Sequence, residues 1–221
     1  MKPDAIIFDF DGVIADSEIR SAELLGRTLT AAGLPTSQEE ALERYTGYGR
    51  VETLAAIATL WGARVPADMA ERLAAETTRA FTRPVPPIPG VEAFLARTVH
   101  VPRAIASSSS TGYIRANLDH IGIAGHFGDH IYSGREHVAR SKPFPDIYLH
   151  AAGALGLDPA RVLVIEDSPV GARAALAAGA SVVGLAAGSH CRPRQIAALR
   201  AEGVERVFAS YADLADALGL A

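Results

Sequence analysis

A chain of 221 residues, 49% of them hydrophobic, can build one large core or one core plus a smaller one. A net charge of −4 without a basic stripe argues against a nucleic-acid partner, and a single cysteine excludes an internal disulfide and fits a reducing compartment. No run reaches membrane-spanning length, and the apolar stretch before Asp9 is too short for a signal peptide, so the expectation is a soluble cytoplasmic protein with no membrane, nucleic-acid or obligate protein partner.

The first element in chain order is a buried strand over Asp4–Phe8, which runs into Asp9-Phe10-Asp11-Gly12. From Ser17 to about Arg83 no strand is evident. Helical spacing of apolar residues instead marks Ser17–Ala32, Ser37–Tyr45, Arg50–Trp61 and Pro66–Phe81. Prolines at positions 84, 86, 87 and 89 make Thr82–Pro89 a stiff, extended connection. Beyond it, strands are predicted over Arg103–Ser107, Arg161–Ile165 and Ser181–Leu185, with weaker ones over His130–Ser133 and Arg206–Ala209. They alternate with helices over Gly90–Arg97, Thr111–Ile121, Pro145–Leu155, Pro169–Ala178 and Tyr211–Leu218. This pattern implies an α/β fold, a Rossmann-like parallel sheet flanked by helices, with an inserted all-helical domain. The expected division is residues 1–16 and 84–221 for the α/β core and 17–83 for the insert, with hinges at Ala15–Ser17 and Thr82–Pro89.

Ligands of open parallel sheets bind at the carboxyl ends of the strands. The polar residues at those ends are Asp9 and Asp11, then Ser107 and Ser108, then Glu166 and Asp167, with Lys142 in a loop between them. Carboxylates crowded at one rim repel each other unless a cation joins them. All-oxygen ligands suit magnesium, and no Cys/His set has zinc spacing. One aspartate can attack a phosphoryl group while the other carries protons, with Lys142 and Ser107 stabilising the transferring oxygens. Amides at the helix start near Thr111 are a further anion cradle. His190 follows a predicted strand end and is a minor candidate for the same rim. His120, His126, His130 and His137 have no ligand spacing and read as surface residues. Trp61 reads as core. Gly47-Tyr48-Gly49 lacks the third glycine and the preceding strand of a dinucleotide fingerprint.

Taken in order, these motifs resemble those of the haloacid dehalogenase superfamily over essentially the whole chain. The resemblance implies that Asp9 of Asp9-Phe10-Asp11-Gly12-Val13 is the nucleophile and Asp11 the general acid/base, with the Asp11 backbone carbonyl also on the metal. It implies that Ser107 holds phosphate, that Lys142 is the motif cation, and that Glu166 and Asp167 of Glu166-Asp167-Ser168-Pro169 bind magnesium together with Asp9. The insert resembles the small cap that closes over substrate. Within the superfamily the chain resembles the β-phosphoglucomutase-like group of sugar-phosphate phosphatases and mutases. Thr46-Gly47-Tyr48-Gly49-Arg50 resembles its cap specificity loop, which would set Gly47 and Arg50 against the substrate. The mutases carry a histidine early in the first cap helix, whereas Glu18-Ile19-Arg20-Ser21-Ala22 has none. The implied activity is therefore hydrolysis of a small phosphorylated metabolite, with a sugar-phosphate mutase as the alternative. A phosphoacceptor signalling domain of the receiver type is disfavoured, because its phosphorylated aspartate lies on a later strand.

Overall fold

The computed structural model describes residues 3–80 and 84–220. Among them, the strands β1 (Ala5–Phe8), β2 (Arg103–Ser107), β3 (Ile131–Ser133), β4 (Val162–Glu166), β5 (Ser181–Leu185) and β6 (Val207–Phe208) form one sheet in the order β3-β2-β1-β4-β5-β6. Every pairing is parallel. The chain builds outward from β1 in one direction through β2 and β3, then crosses back to place β4 on the other side of β1. This reversal leaves a crevice at the carboxyl ends of β1 and β4, where such sheets bind ligands.

Successive side chains of β1 point to opposite faces and enter separate cores. Ile6 and Phe8 pack with Phe94, Ile114, Leu118 and Leu214, from the helices α5 (Val91–Arg97), α6 (Thr111–Ile121) and α10 (Tyr211–Ala217). Ala5 and Ile7 pack with Ile147, Tyr148 and Ala151 of α7 (Asp146–Ala154) and with Ala174 and Ala175 of α8 (Pro169–Ala177). A strand covered on both faces has to be apolar at every position, and all four residues of β1 are buried. Phe8 meets Phe94 and Phe127 edge-on, at centroid separations of 6.1 and 5.7 Å, contacts worth about 0.5–1.5 kcal/mol each beyond their burial.

Between β1 and α5 the described residues form four α-helices, α1 (Glu18–Ala31), α2 (Gln38–Tyr45), α3 (Arg50–Trp61) and α4 (Met69–Ala80). They have a core of their own, built from Ala22, Leu29, Leu34, Ala41, Ile57, Met69 and Leu73, with Trp61 partly buried against it. Ser37 starts α2 with a capping box: its Oγ accepts from the Glu40 N–H at 3.1 Å, and its own N–H donates to Glu40 Oε2 at 2.9 Å. The two segments that join these helices to the sheet run side by side. Asp16 N–H donates to the Pro86 carbonyl and Ile88 N–H to the Ile14 carbonyl, both at 2.8 Å, with Ala15 bridged to Pro87. Phe81, Thr82 and Arg83, which complete the predicted last insert helix and open the proline segment, lie outside the described residues.

The structure departs from the sequence expectation in several places. The helix predicted from Pro66 begins at Met69, because Pro66 sits in a turn whose carbonyl accepts from Met69 N–H. Strand β4 extends one residue further than expected and takes in Glu166. Helix α9 (Pro193–Ala201) was not anticipated; it buries only Leu199, too little for an apolar period to show. The amides at the start of α6 are not an open anion cradle, since the Glu136 carboxylate accepts from both the N–H and the hydroxyl of Thr111 at 3.0 and 2.5 Å.

Candidate active site

Parallel pairing fixes the level of the site. Phe8 lies opposite Ile105 of β2 and Ile165 of β4. The next residue on each chain is thus Asp9, Ala106 and Glu166, with Ser107 and Asp167 one step beyond. Asp9 is 6% exposed, and its N–H is tied to the Ile165 carbonyl at 3.0 Å. Burial pushes its carboxyl up to about 7. Lys142 opposes that rise, while the nearby Glu166 and Asp11 charges add to it.

Lys142 sits inside this cluster, 3% exposed. Its ammonium donates to Asp9 Oδ1 at 2.8 Å and to Glu166 Oε1 at 2.7 Å, and lies 4.9 Å from the centre of the Tyr148 ring. Burial alone would lower the ammonium pKa, but the two carboxylates outweigh it and hold the group above its ordinary range. Glu166 is fully enclosed. Its Oε1 also accepts from the Tyr148 hydroxyl at 2.5 Å, and its Oε2 accepts from the Ser168 hydroxyl at 3.0 Å and from the amides of Asp167 and Ser168. The Ser168 Oγ in turn caps α8 by accepting from Gly171 N–H at 3.1 Å. Residue 171 has to be glycine, since a Cβ there would lie 1.7 Å from Glu166 Oε1.

Asp11 is set apart from this buried knot. Ser17 and Ser109 each donate a hydroxyl to one of its oxygens at 2.6 Å. Ser107 is buried, and its Oγ accepts from Ser109 N–H at 3.0 Å, which fixes the loop that presents Ser109.

Asp9, Glu166 and Asp167 offer oxygens that all lie within 4.8 Å of one another. These residues fit a hard cation on an observation of their own: Asp167 Oδ2 is buried and receives no hydrogen bond. Burial and the charges of Glu166 and Asp9 hold the Asp167 carboxyl well above the usual carboxylate range. A divalent ion would relieve that crowding. The Asp11 side chain is not part of this cluster, and the ligand expected from Asp11 is its backbone carbonyl. His190 does reach the rim. It is fully buried, with Nε2 3.0 Å from Asp167 Oδ2 but no hydrogen bond between them. Two glycines admit this stack: a Cβ at Gly12 (φ +80°) would lie 1.7 Å from Asp167 Oδ2, and one at Gly188 would lie 2.7 Å from the His190 ring.

A cavity of about 500 Å³ opens above the acids. Asp9, Asp11, Ser107, Ser108 and Lys142 line it from the sheet side, and Gly47, Tyr48 and Arg50 line it from the helical insert. The loop before α3 is seated directly on the sheet-side loops. A Cβ at Gly47 (φ +80°) would lie 2.5 Å from Ser168 Cβ, and one at Gly49 would lie 3.7 Å from Ser108 Cβ. All the candidate residues read from the sequence therefore meet around one cavity or directly beneath its floor. Those it missed are Ser17, Ser109, Tyr148, Ser168, Glu18 and Arg135. Glu18 and Arg135 line the cavity, and burial together with Asp167 and Asp11 keeps the Glu18 carboxyl well above its ordinary range. Only the run Ser107–Ser110 carried any local hint, since a serine after a strand end can cap or bind. His130 is half-buried against Tyr132, with Nδ1 2.9 Å from the phenol oxygen, and does not line this cavity.

Comparison with known proteins bears on this arrangement. Residues 6–185 match the family of haloacid dehalogenase-like hydrolases. The 6-phosphogluconate phosphatase of Escherichia coli (strain K12) is 26% identical over 191 residues, 86% of either chain. Two solved structures share the fold. One is a haloacid dehalogenase-like protein of unknown function from Agrobacterium tumefaciens, at TM-score 0.85 and 38% identity, covering 98% of this chain and 97% of that one. The other is a hydrolase of the same family from Deinococcus radiodurans with bound phosphate and sodium, at TM-score 0.78 and 37% identity, covering 98% and 96%. With the paired aspartates, the buried lysine and the acid cluster at the carboxyl ends of a parallel sheet, and with a family match across most of its length, the chain belongs to the haloacid dehalogenase-like hydrolases.

Proposed function

We propose that this hydrolase is a magnesium-dependent phosphatase of a small phosphorylated metabolite, with sugar phosphates as its substrate class, and that it works through an aspartyl-phosphate on Asp9. The observation that carries this reading is the division of labour between the two aspartates. Asp9 is ion-paired to Lys142 at 2.8 Å on the cavity floor, while Asp11, two residues on, is held by hydroxyls. A phosphatase among the relatives and a phosphate-bound structural neighbour support it.

In this reading Asp9 attacks phosphorus as Asp11 delivers a proton to the departing alcohol oxygen. Asp11 then takes a proton from the water that cleaves the acyl phosphate, which returns Asp9 to its starting state. The hydroxyls of Ser17 and Ser109 keep the Asp11 carboxyl aimed at the cavity during both transfers. Lys142 and Ser107 counter the charge on the transferring oxygens. Asp9, Asp167, Glu166 and the Asp11 carbonyl would hold magnesium, which supplies positive charge against the phosphoryl oxygens. Helices α1–α4 act as the cap over residues 17–83, and Gly47 and Arg50 present the specificity loop while excluding water. With no histidine in Glu18–Ala22, the proton carrier has hydroxyl partners, Ser17 and Ser109, among the described residues, which favours transfer to water over transfer within a sugar.

The test is release of inorganic phosphate from a panel of phosphorylated metabolites, with and without magnesium. Asp9→Asn is expected to abolish release while retaining the wild-type circular dichroism spectrum. Incubation with glucose 1-phosphate and a bisphosphate activator separates the two activities, because formation of glucose 6-phosphate would establish a mutase. Normal hydrolysis by Asp9→Asn, in a preparation free of deamidated protein, would remove Asp9 as the nucleophile.

A further inference from the structure

The proposed chemistry gives His190 no task, yet this imidazole is wholly buried against one of the acids. It is carried by the loop between β5 and α9, and the residues around it secure that loop. Ser189 donates its N–H and its hydroxyl to Asp16 Oδ1 at 3.0 and 2.9 Å. Cys191 N–H donates to the Gly188 carbonyl at 3.0 Å, and the Arg192 guanidinium donates to the Ser189 carbonyl at 2.9 Å. The ring is therefore mounted on a fixed backbone, as a group that orients another has to be.

The two ring nitrogens have unlike surroundings. A Cβ at Gly188 would lie 2.7 Å from both Nδ1 and Cε1, so this edge rests on glycine backbone, and Nδ1 has no hydrogen-bond partner among the described residues. Nε2 instead faces Asp167 Oδ2 at 3.0 Å, with the Cys191 sulfur at 3.6 Å. A proton on Nδ1 alone would be a buried donor with no acceptor, and would turn the bare Nε2 lone pair toward a carboxylate oxygen. A proton on Nε2 faces two acceptors. The three acids of the cation cluster are also held unequally. Lys142 donates to Asp9 Oδ1, and both oxygens of Glu166 accept hydrogen bonds. Asp167 Oδ2 is buried and receives none, and the His190 nitrogen is the group placed to serve it. The two are at hydrogen-bonding distance but out of line, and rotation of a carboxylate about χ2 is soft enough to align them at little cost.

We infer that His190 is a positioning residue for the metal site: its Nε2–H holds Asp167 Oδ2 and so sets the orientation in which the Asp167 carboxylate meets a divalent cation. This rests on the reading that Asp167 binds magnesium and extends it to a residue outside the acid cluster. His190 acts through Asp167 and not as a ligand, because the group of atoms lying within 4.8 Å of one another takes in Asp9, Glu166 and Asp167 but not the imidazole. Hydrogen-bonded partners of metal ligands fix the ligand's orientation, and their loss costs about 10–100-fold in metal affinity.

The experiment titrates metal-free protein with magnesium chloride by calorimetry, for wild type, His190→Leu and His190→Gln. Leucine fills the space without a donor, whereas glutamine keeps an N–H near the place of Nε2. His190→Leu is expected to raise Kd by about 10–100-fold, and His190→Gln to stay within about three-fold of wild type. A leucine variant that binds magnesium as tightly as the glutamine variant, or more tightly, would mean that the ring only fills space, and overturns the inference while leaving the metal-site reading standing. Nitrogen NMR of the wild-type imidazole needs no variant to fold and is the second readout. A proton on Nε2 supports the inference, and an Nε2 without one overturns it. If wild-type protein itself binds no magnesium, the metal-site reading fails and this inference fails with it.

Discussion

Replacing Lys142 by methionine keeps most of the side-chain volume and removes only the charge. In the wild type the ammonium lies 2.8 Å from Asp9 and 2.7 Å from Glu166, with all three side chains at most 9% exposed. Breaking a buried pair by deleting one partner costs about 3–5 kcal/mol, since the orphaned charge keeps its desolvation penalty. For a chain of this size each kcal/mol is about 2–4 °C in Tm, so Lys142→Met should melt about 6–20 °C below wild type in metal-free buffer. The deficit should also depend on pH, and its sign follows from Asp9. Its carboxyl is already pushed up to about 7, and it rises further without the lysine that opposes that shift. A carboxyl with a raised folded-state pKa binds more protons folded than unfolded, so stability is gained as pH falls through that value and lost as it rises. The wild type gains in the same way below about 7, so the variant should recover toward wild type between about pH 9 and pH 7 and keep a constant deficit below that. Adding Glu166→Gln removes a second unpaired charge and should regain part of the loss. Thermal unfolding of wild type, single and double variants at the two pH values decides it. A Tm within about 2 °C of wild type at the higher pH, or a deficit that ignores pH, would refute the reasoning.

Other expectations are simpler to check. Asp11→Asn keeps the hydroxyl contacts but cannot carry the proton, and should slow phosphate release by about 10²–10⁴ with little change in Tm. Gly12→Ala places a Cβ where Asp167 Oδ2 stands and strains a backbone at φ +80°. It should weaken magnesium binding by titration calorimetry more than it weakens folding, and unchanged affinity would count against Asp167 as a ligand. Chelation should silence phosphate release and added magnesium restore it. Magnesium should also raise Tm in wild type, by about 2.7 kcal/mol of stabilisation at a hundred times Kd, and should raise it much less in Asp167→Asn.

The sheet was largely legible because its strands are short apolar runs buried on both faces, and such runs need no partner in sequence to be recognised. The acids were legible for the related reason that Asp9 and Glu166-Asp167 end two of those runs. What could not be read locally was who touches whom. Lys142 reaches Asp9 across 133 positions and Ser109 reaches Asp11 across 98, separations with no periodic signature. Lys142 taken alone reads as a surface charge, yet it is one of the most enclosed charged groups described here. Arg135 stayed hidden because it falls in an irregular loop, where neither helix nor strand spacing assigns it a face. Helix α9 was missed because a helix lying on the edge of a sheet buries one residue, and one residue makes no period.

The paired crossing between the helical insert and the sheet has a mechanical consequence. Two adjacent strands of chain, joined through Ala15 and Pro87, resist twisting far more than two separate loops would, and leave bending as the easy motion. The same ribbon contains the tether of Asp11, the proton carrier of the proposed mechanism. Gly12 N–H is fastened to the Ala15 carbonyl at 2.7 Å, and Ser17, just past the crossing, holds Asp11 Oδ1. Flexing of the ribbon to admit a ligand would therefore displace the Ser17 hydroxyl held on Asp11, and flexing back would reset it. In the proposed mechanism, access to the cavity and alignment of the acid would then be geared to a single joint.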